Sequence, residues 1–314
     1  MDFEPLITIV IPVRDRATIV GRTLKSVCDQ TLRPLRVVLV DNGSCDATPE
    51  VLRLWGGLMW DDGIDVCVVN EPRPGAAVAR NRGLQEVSTR YVMFFDSDDT
   101  MHRDHCRMVV EGIKEAGYPD IAGWPVRQNV GRGHSKVGRF SRRCRLTNHL
   151  FHGSMSTVRF AVRTDLIRSV GGWDERLRGW DDYELGIRLL MAAGKVVRLP
   201  LSPDTVQIYP QEESITGTAY SPDPAKWEEA LDICAGSLVA GGRHDMVRWI
   251  DVRRVILAGE YRREGRDDLA DRLMGKVLDG APGAWHRAVY GMLHRYFITA
   301  GRGVPQLARL LLPR

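Results

Sequence analysis

Three carboxylates fall within four residues at Asp96-Ser97-Asp98-Asp99, directly after the apolar run Tyr91-Val92-Met93-Phe94-Phe95. Carboxylates crowded like this repel one another and are stable as anions only beside a cation. Hard oxygen ligands at this spacing suit Mg²⁺ or Mn²⁺, which complete their shells with water and substrate phosphates. A solvated acidic turn is the plainer alternative, since Asp and Ser are ordinary turn residues; the buried strand in front favours a site. A second acidic element, Asp41 followed by Asn42-Gly43-Ser44, ends the run Val37–Val40. An aspartate at such a tip can accept hydrogen bonds from a ribose or base. It can equally cap the next helix, although Asp46 is better placed for that.

Two further segments add to these. Gly75-Ala76-Ala77-Val78-Ala79-Arg80-Asn81-Arg82-Gly83 opens a helix with small residues and carries two arginines. Small residues admit a close backbone approach, and a helix N-terminus favours phosphate. The glycine spacing is that of neither a dinucleotide fingerprint nor a P-loop. Gly171-Gly172-Trp173-Asp174-Glu175 then precedes Gly179-Trp180-Asp181-Asp182-Tyr183-Glu184-Leu185. Adjacent carboxylates at a helix start can supply a general base or merely complement the helix dipole.

The elements that must hold these residues alternate in type. Leu6–Pro12 is continuously apolar, as expected of a strand buried on both faces of a parallel sheet. Helix (Thr18–Gln30), strand (37–40), helix (Asp46–Leu54), strand (66–69), helix (Ala76–Glu86) and strand (91–95) follow, which predicts βαβ units and a doubly wound sheet. Beyond Gly117 the alternation loosens. Gly131–Gly153 reads as long loops around short strands, Met155–Val162 as a strand, Asp181–Ala193 as a helix and Lys195–Leu201 as extended. Four helical stretches follow at Lys226–Leu238, Met246–Tyr261, Asp267–Leu278 and Trp285–Ile298. The expected organisation is an α/β domain over 1–220 and a mainly helical region over 221–314. The first domain would divide into two halves, 1–100 and 101–220.

Composition closes several doors. With 314 residues, 44% of them hydrophobic and 27% charged, the chain is an ordinary globular protein able to bury a large core. Its six cysteines form no C-x-x-C pair and match neither a zinc ribbon nor a disulfide scaffold. The opening Met-Asp-Phe-Glu-Pro lacks the charge pattern of a secretory signal, and no window of 18 apolar residues exists. A reducing cytoplasm is the expected location. The net charge of +4 does not imply nucleic acid. Its distribution is informative, because Ile121–Thr164 contains nine Lys or Arg and no acid, and the tail after Asp279 has five Arg and no acid.

The ordered set of four elements resembles the family-2 glycosyltransferases of the GT-A fold over about residues 6 to 217. Ile9-Val10-Ile11-Pro12 is similar to the family's opening strand, Val40-Asp41-Asn42-Gly43-Ser44 to its nucleotide-binding strand tip, and Asp96–Asp98 to its Asp-x-Asp motif. Ala79-Arg80-Asn81-x-Gly83, Gly-Gly-Trp-Asp-Glu and Asp181-Asp182-Tyr183-Glu184-Leu185 complete the set; the last usually reads Glu-Asp. The resemblance implies that Asp41 binds the nucleoside and that Asp96 lies near the ribose or the metal. It implies that Asp98 holds a Mg²⁺ or Mn²⁺ bridging the donor diphosphate, with Asp99 beside the sugar. Asp182, with Asp181 next to it, matches the catalytic base that deprotonates the acceptor hydroxyl in a single inverting displacement. Pro12 and Asp15 fall at the base-binding end of the first strand, and Arg80, or Arg82 in its place, is expected at the nucleotide. Trp180 is a candidate to stack on a sugar face. The chain departs from the family's usual pattern in having Arg14-Asp15 where Tyr-Asn is common. It also lacks a His or Arg between Val206 and Ser214-Ile215-Thr216.

The implied activity is metal-dependent transfer from a nucleotide-diphospho-sugar, a UDP-sugar in preference to GDP or dTDP, in glycan assembly. Two other classes compete. Asp96-x-Asp98-x-Thr100 also resembles the nucleophile loop of haloacid-dehalogenase-type phosphatases, although that loop normally follows the first strand; phosphate release from an aryl phosphate would favour it. A non-catalytic nucleotide-sugar-binding module would bind donor without turnover. His102-Arg103-Asp104-His105-Cys106 lacks a second ligand pair for zinc, and His105 is expected to face the substrate. On the acceptor side, Arg127, Arg132, Lys136, Arg139, Arg142, Arg143 and Arg145 could receive an anionic, lipid-linked saccharide. Trp285, Tyr290, Tyr296 and Phe297, among Arg287, Arg295, Arg302 and Arg309, could rest on the cytoplasmic face of an anionic membrane.

Overall fold

The computed structural model describes residues 4–130, 133–141, 146–210, 219–301 and 303–312. The chain divides into two compact units, residues 1–149 with 153–212, and residues 150–152 with 213–314.

The first unit opens with β1 (Ile7–Val13), α1 (Val20–Cys28), β2 (Arg36–Asp41), α2 (Thr48–Asp61), β3 (Asp65–Asn70), α3 (Ala76–Gln85) and β4 (Tyr91–Phe94). Then come β5 (Thr100–Met101), α4 (His105–Glu115), β6 (Ile121–Gly123), β7 (Val126–Asn129), β8 (Ser135–Gly138) and α5 (Leu146–His152), the last shared between the units. It ends with β9 (Phe160–Arg163), α6 (Thr164–Ser169), α7 (Asp181–Ala192), β10 (Val196–Arg198) and β11 (Val206–Ile208). Among the described residues these strands form a seven-stranded sheet, ordered β10-β6-β9-β4-β1-β2-β3, and a four-stranded one, ordered β5-β11-β7-β8. The pairs β4–β1, β1–β2 and β2–β3 are parallel, so the carboxyl ends of β1, β2 and β4 share one edge. Strand β9 runs antiparallel between β4 and β6.

The apolar run of β1 is explained by burial on both faces. Ile7, Ile9 and Ile11 enter one core with Leu24, Leu39 and Tyr91, while Val10 enters the other with Val38, Val40 and Phe94. Each such side chain contributes about 1.5–3 kcal/mol by leaving water. Helix α3 lies very close to the sheet at Gly83. A Cβ there would stand 3.0 Å from Val40 Cγ2 and would overlap Val10 Cγ1 outright. The expected strand over Met155–Val162 is shorter than its apolar pattern suggests. Thr157–Arg159 forms a single 3₁₀ turn, and the strand starts at Phe160.

The second unit is helical: α8 (Pro224–Ala240), α9 (Val247–Arg263), α10 (Asp267–Asp279), α11 (Ala284–Ala300) and α12 (Val304–Leu311). Trp285 and Tyr296 are exposed, as a surface-binding face requires, but Tyr290 and Phe297 are buried in this unit's own core. Arg302 lies outside the described residues. Among the described residues no helix is long and apolar enough to cross a membrane.

Candidate active site

The acidic turn Asp96–Asp99 leaves the carboxyl tip of β4 and is held from below by α1. Thr23 Oγ1 donates to the carbonyls of Ser97 and Asp99, at 2.9 and 2.7 Å, and Arg22 donates to that of Asp98 at 2.5 Å. Arg22 also lies over the Tyr209 ring, 4.3 Å from its centroid, just beyond β11. Among the described residues the Asp98 carboxylate makes no ion pair and so stays unspent. Burial and then the charge of Asp96 raise its pKa, while Arg16 and Arg22 pull the other way. Asp99 differs from the expectation that it stands beside the sugar. It is 2% exposed, and its Oδ1 accepts the Tyr209 amide at 3.1 Å, so it fastens the turn to the end of β11. Burial, followed by the charges of Asp96 and Asp98, pushes its pKa to about 9.

Arg80 also departs from expectation. It is 6% exposed, and its guanidinium donates to Asp181 Oδ2 at 2.6 Å and to Asp96 Oδ1 at 3.0 Å, with its Cζ 4.5 Å from the Trp173 ring centroid. This arginine therefore joins the acidic turn to the start of α7 and has little left for a nucleotide. Arg82, the proposed substitute, pairs with Glu86 one turn along the same helix.

The start of α7 is over-determined. Trp180 adopts a left-handed conformation, φ 55° and ψ 25°, at the helix N-cap. A non-glycine residue there is strained by about 1–2 kcal/mol. Asp181 uses one carboxylate oxygen on Arg80 and offers the other to the Asp182 amide at 3.0 Å, which leaves Asp182 as the group able to accept a proton. Asp182 is half-buried. Burial first, and then the charges of Asp181 and Asp96, push its pKa up to about 7, against the pull of Arg80. One turn on, the fully buried Glu184 pairs bidentately with Arg188, at 2.7 and 2.5 Å. Arg188 in turn donates to the carbonyls of Val170 and Gly172. Asn81 grips the same Gly-Gly-Trp segment, accepting from the Trp173 amide and donating to the Trp173 carbonyl, both at 2.8 Å. Gly172 has φ +70°, and a Cβ on it would lie 2.7 Å from Asn81 Oδ1. His149 Nε2 meets the Tyr183 carbonyl at 2.8 Å and steadies the helix from beneath. No local sequence signal marks Glu184, Arg188 or His149 as supports.

The nucleoside end is built from loops that bind one another. Asp41 is 6% exposed at the tip of β2 and accepts the Ser44 amide at 3.3 Å. Asp15 (φ 49°) accepts the Cys45 amide at 2.7 Å and donates its own amide to Ser44 Oγ, so it ties the β1–α1 loop to the β2–α2 loop. Pro12 pairs with Val40 in the ladder between them. Asn42 organises the loop before α3, donating to the Glu71 and Arg73 carbonyls and accepting from the Gly75 amide.

One expectation fails here. His105 is fully buried against Trp124, and burial drives its pKa down to about 3, so it faces the core and no substrate. On the basic stretch Arg127 is paired with Asp204, while Lys136 and Arg139 are exposed. Arg132, Arg142, Arg143, Arg145 and Ser214-Ile215-Thr216 lie outside the described residues. A hollow of about 670 Å³ lies at the opposite end of β4, lined by Thr89, Arg90, Arg163 and Arg168. Its arginines are already engaged, Arg163 with Asp120 and Asp165, Arg168 with two carbonyls, and Arg90 with the Tyr118 ring.

Among the described residues no three His, Cys, Asp or Glu side chains are arranged to hold a metal unaided. The donor set still fits Mg²⁺ or Mn²⁺ in one specific way. Asp98, an unspent carboxylate next to the Arg80-paired Asp96, is the kind of ligand used when substrate phosphates supply the rest of the shell.

The family model described as “Glycosyl transferase family 2” matches residues 8–166. The chain is 28% identical over 211 residues to the pre-mycofactocin glycosyltransferase of Mycobacterium tuberculosis (strain ATCC 25618 / H37Rv), an alignment covering 62% of this chain and 41% of that protein. It is 28% identical over 181 residues to glycosyltransferase AglE of Haloferax volcanii, covering 55% and 57% of the two chains. The chain thus spans about half the length of these relatives. Among solved structures, S. aureus TarS 1–349 in complex with UDP-GlcNAc is similar with a TM-score of 0.70 at 16% identity, over 97% of this chain and 91% of that one. The mannosyltransferase PcManGT from Pyrobaculum calidifontis, in complex with GDP-Man and Mn²⁺, is similar with a TM-score of 0.58 at 15% identity, over 98% and 87%. At these identities the likeness is one of fold, and the fold is GT-A.

Proposed function

The chain belongs to glycosyl transferase family 2, and from that premise we propose that it is a metal-dependent, inverting glycosyltransferase that moves a sugar from a nucleotide-diphospho-sugar to an acceptor hydroxyl. Membership sets aside the phosphatase reading of Asp96 and Asp98. One observation carries the proposal: Arg80 clamps the acidic turn to the first turn of α7. The clamp leaves two carboxylates of raised proton affinity, Asp98 and Asp182, unspent on either side of it.

The roles divide by chemistry. Pro12, Asp15 and Asp41 border the nucleoside. Asp98, with Asp96 beside it, would hold a Mg²⁺ or Mn²⁺ that neutralises the departing diphosphate. Asp182 accepts the proton of the acceptor hydroxyl as that oxygen attacks the anomeric carbon. Asp181 orients Asp182 by accepting the hydrogen bond of its amide, and Trp180, the residue before this pair, is the candidate to stack on the sugar. A single in-line displacement inverts the anomeric centre and needs no covalent intermediate. A UDP-sugar is the favoured donor; the UDP-GlcNAc bound by TarS supports this, and the Mn²⁺ of PcManGT supports the metal. The acceptor is proposed to be a glycan or lipid-linked saccharide. The enzyme would act in the cytoplasm and touch the membrane through Trp285, Tyr296 and the basic tail.

The test combines a screen of UDP-, GDP- and dTDP-sugars for thermal stabilisation with two variants. Asp98→Ala should lose the divalent-ion dependence of donor binding. Asp182→Asn should lose transfer by about 10²–10⁴-fold with donor affinity unchanged. Tight donor binding without turnover in the wild type would favour a non-catalytic module.

A further inference from the structure

Arg159 is a cation that the scheme above leaves unused. It closes the 3₁₀ turn Thr157–Arg159 immediately before β9. In the antiparallel β4–β9 ladder Met93 faces Ala161. Two residues further along, that register brings Arg159 level with Phe95, next to Asp96 at the carboxyl tip of β4. Its main chain is pinned there: the Trp124 amide donates to the Arg159 carbonyl at 2.9 Å and the Trp124 indole to the Val158 carbonyl at 3.0 Å.

The side chain is buried and, among the described residues, has no partner. Arg159 is 8% exposed. Its Nε has no hydrogen-bond acceptor, and among the described residues its guanidinium forms no ion pair. The group lies against Gly138 of β8, where a Cβ would lie 2.8 Å from Arg159 Cζ and nearer still to a terminal nitrogen. The acidic group that acts on its charge is Asp182, through space and without a hydrogen bond, while burial works against that charge. An arginine stays protonated in any such setting. A buried, unpaired guanidinium that feels the charge of a general base is therefore poised to gain from an arriving anion, and its planar fork matches phosphate or carboxylate oxygens.

We propose that Arg159 receives a phosphate or carboxylate carried by the acceptor close to the hydroxyl that Asp182 deprotonates. The acceptor class is then an anionic saccharide or polyol. The inference rests on the assignment of Asp182 as base. The donor diphosphate is the weaker candidate for this anion, because its side of the cleft has Asp98 with Arg16 and Arg22 in its field.

The probe is glycerol 3-phosphate, with glycerol as its uncharged counterpart, titrated by calorimetry into the full chain saturated with UDP and Mg²⁺. Glycerol 3-phosphate should bind and glycerol should not. Arg159→Gln should weaken glycerol 3-phosphate at least about tenfold while UDP affinity stays unchanged. Arg159→Lys, which keeps the charge but not the fork, should fall between; it decides the matter if the Gln variant also loses UDP. Equal glycerol 3-phosphate affinity in wild type and both variants overturns the proposal. So does displacement of glycerol 3-phosphate by UDP, which would assign the anion to the diphosphate subsite. Failure of the transferase reading looks different, since the wild type would then bind no nucleotide or nucleotide sugar at all.

Discussion

Replacing Arg80 with Met keeps the volume of the side chain and deletes its charge. Two ion pairs go with it, but they differ in worth. Asp181 has 16% side-chain exposure and sits next to Asp182, so its charge is left in a poorly solvated place. Asp96 has 35% side-chain exposure, and water compensates much of its loss. Breaking a buried pair from one side costs about 3–5 kcal/mol. With only one of the two contacts fully in that class, the expected loss is about 3 kcal/mol, including about 1 kcal/mol for the contact with Trp173. For a unit of this size that is a fall in Tm of roughly 6–12 °C, read by calorimetry on the full chain. A double variant, Arg80→Met with Asp181→Asn, should recover about 1–2 kcal/mol, because most of the penalty belongs to the stranded carboxylate. A second readout separates positioning from bulk stability. Arg80 pulls the Asp182 pKa down, so its loss should move the acid limb of the pH–rate profile to higher pH. A Tm change under about 2 °C, or an acid limb that stays in place, would refute the clamp.

Three other outcomes are expected. Because burial raises the Asp182 pKa to about 7, kcat/KM should rise with pH through that value. The proton that Asp182 binds more tightly when folded stabilises the protein fully below about pH 4, and this contribution is lost as pH rises through about 7. Asp182→Asn should therefore gain stability relative to wild type across that window in thermal melts, and a pH-independent difference would count against the shifted carboxyl. Gly83→Ala should lower stability by about 1–2 kcal/mol, since the overlap with Val10 and Val40 outweighs the helix-propensity gain; an unchanged or higher urea midpoint would contradict that close approach. Co-sedimentation with anionic vesicles at low salt should be detectable and fall in Trp285→Ser, whereas no binding by the wild type would remove the membrane role.

The βαβ half was legible because its signals are local. The strands β1, β2 and β4 are buried on both faces, so their apolar runs needed no knowledge of partners. Helix α7 likewise coincides with the pattern that starts at Asp181. What the sequence misled on was set by distant contacts. The strand expected from Met155 yields to a 3₁₀ turn pinned by Trp124, more than thirty residues away. Arg80 looks like a phosphate ligand at a helix start until its partners, 16 and 101 residues away, are known. Asp99 reads like its neighbours in the acidic turn, and only the Tyr209 amide turns it inward. Tyr290 and Phe297 are spaced as a surface stripe could be, but they face the helical core. Arg159, lost among the basic residues of its stretch, is distinguished only by burial.

Within four consecutive positions of α3, three residues answer to three unrelated neighbours: Arg80 to a pair of carboxylates, Asn81 to a turn ninety residues on, and Gly83 to the sheet. Such a helix has almost no mutational slack. A change at any of the three can be offset only by a matched change far off in the chain, so viable variants must cross a valley of singly substituted, defective intermediates. In a deep substitution scan, 80, 81 and 83 should stand out as intolerant while Arg82 between them, held among the described residues only by Glu86 on its own helix, drifts freely.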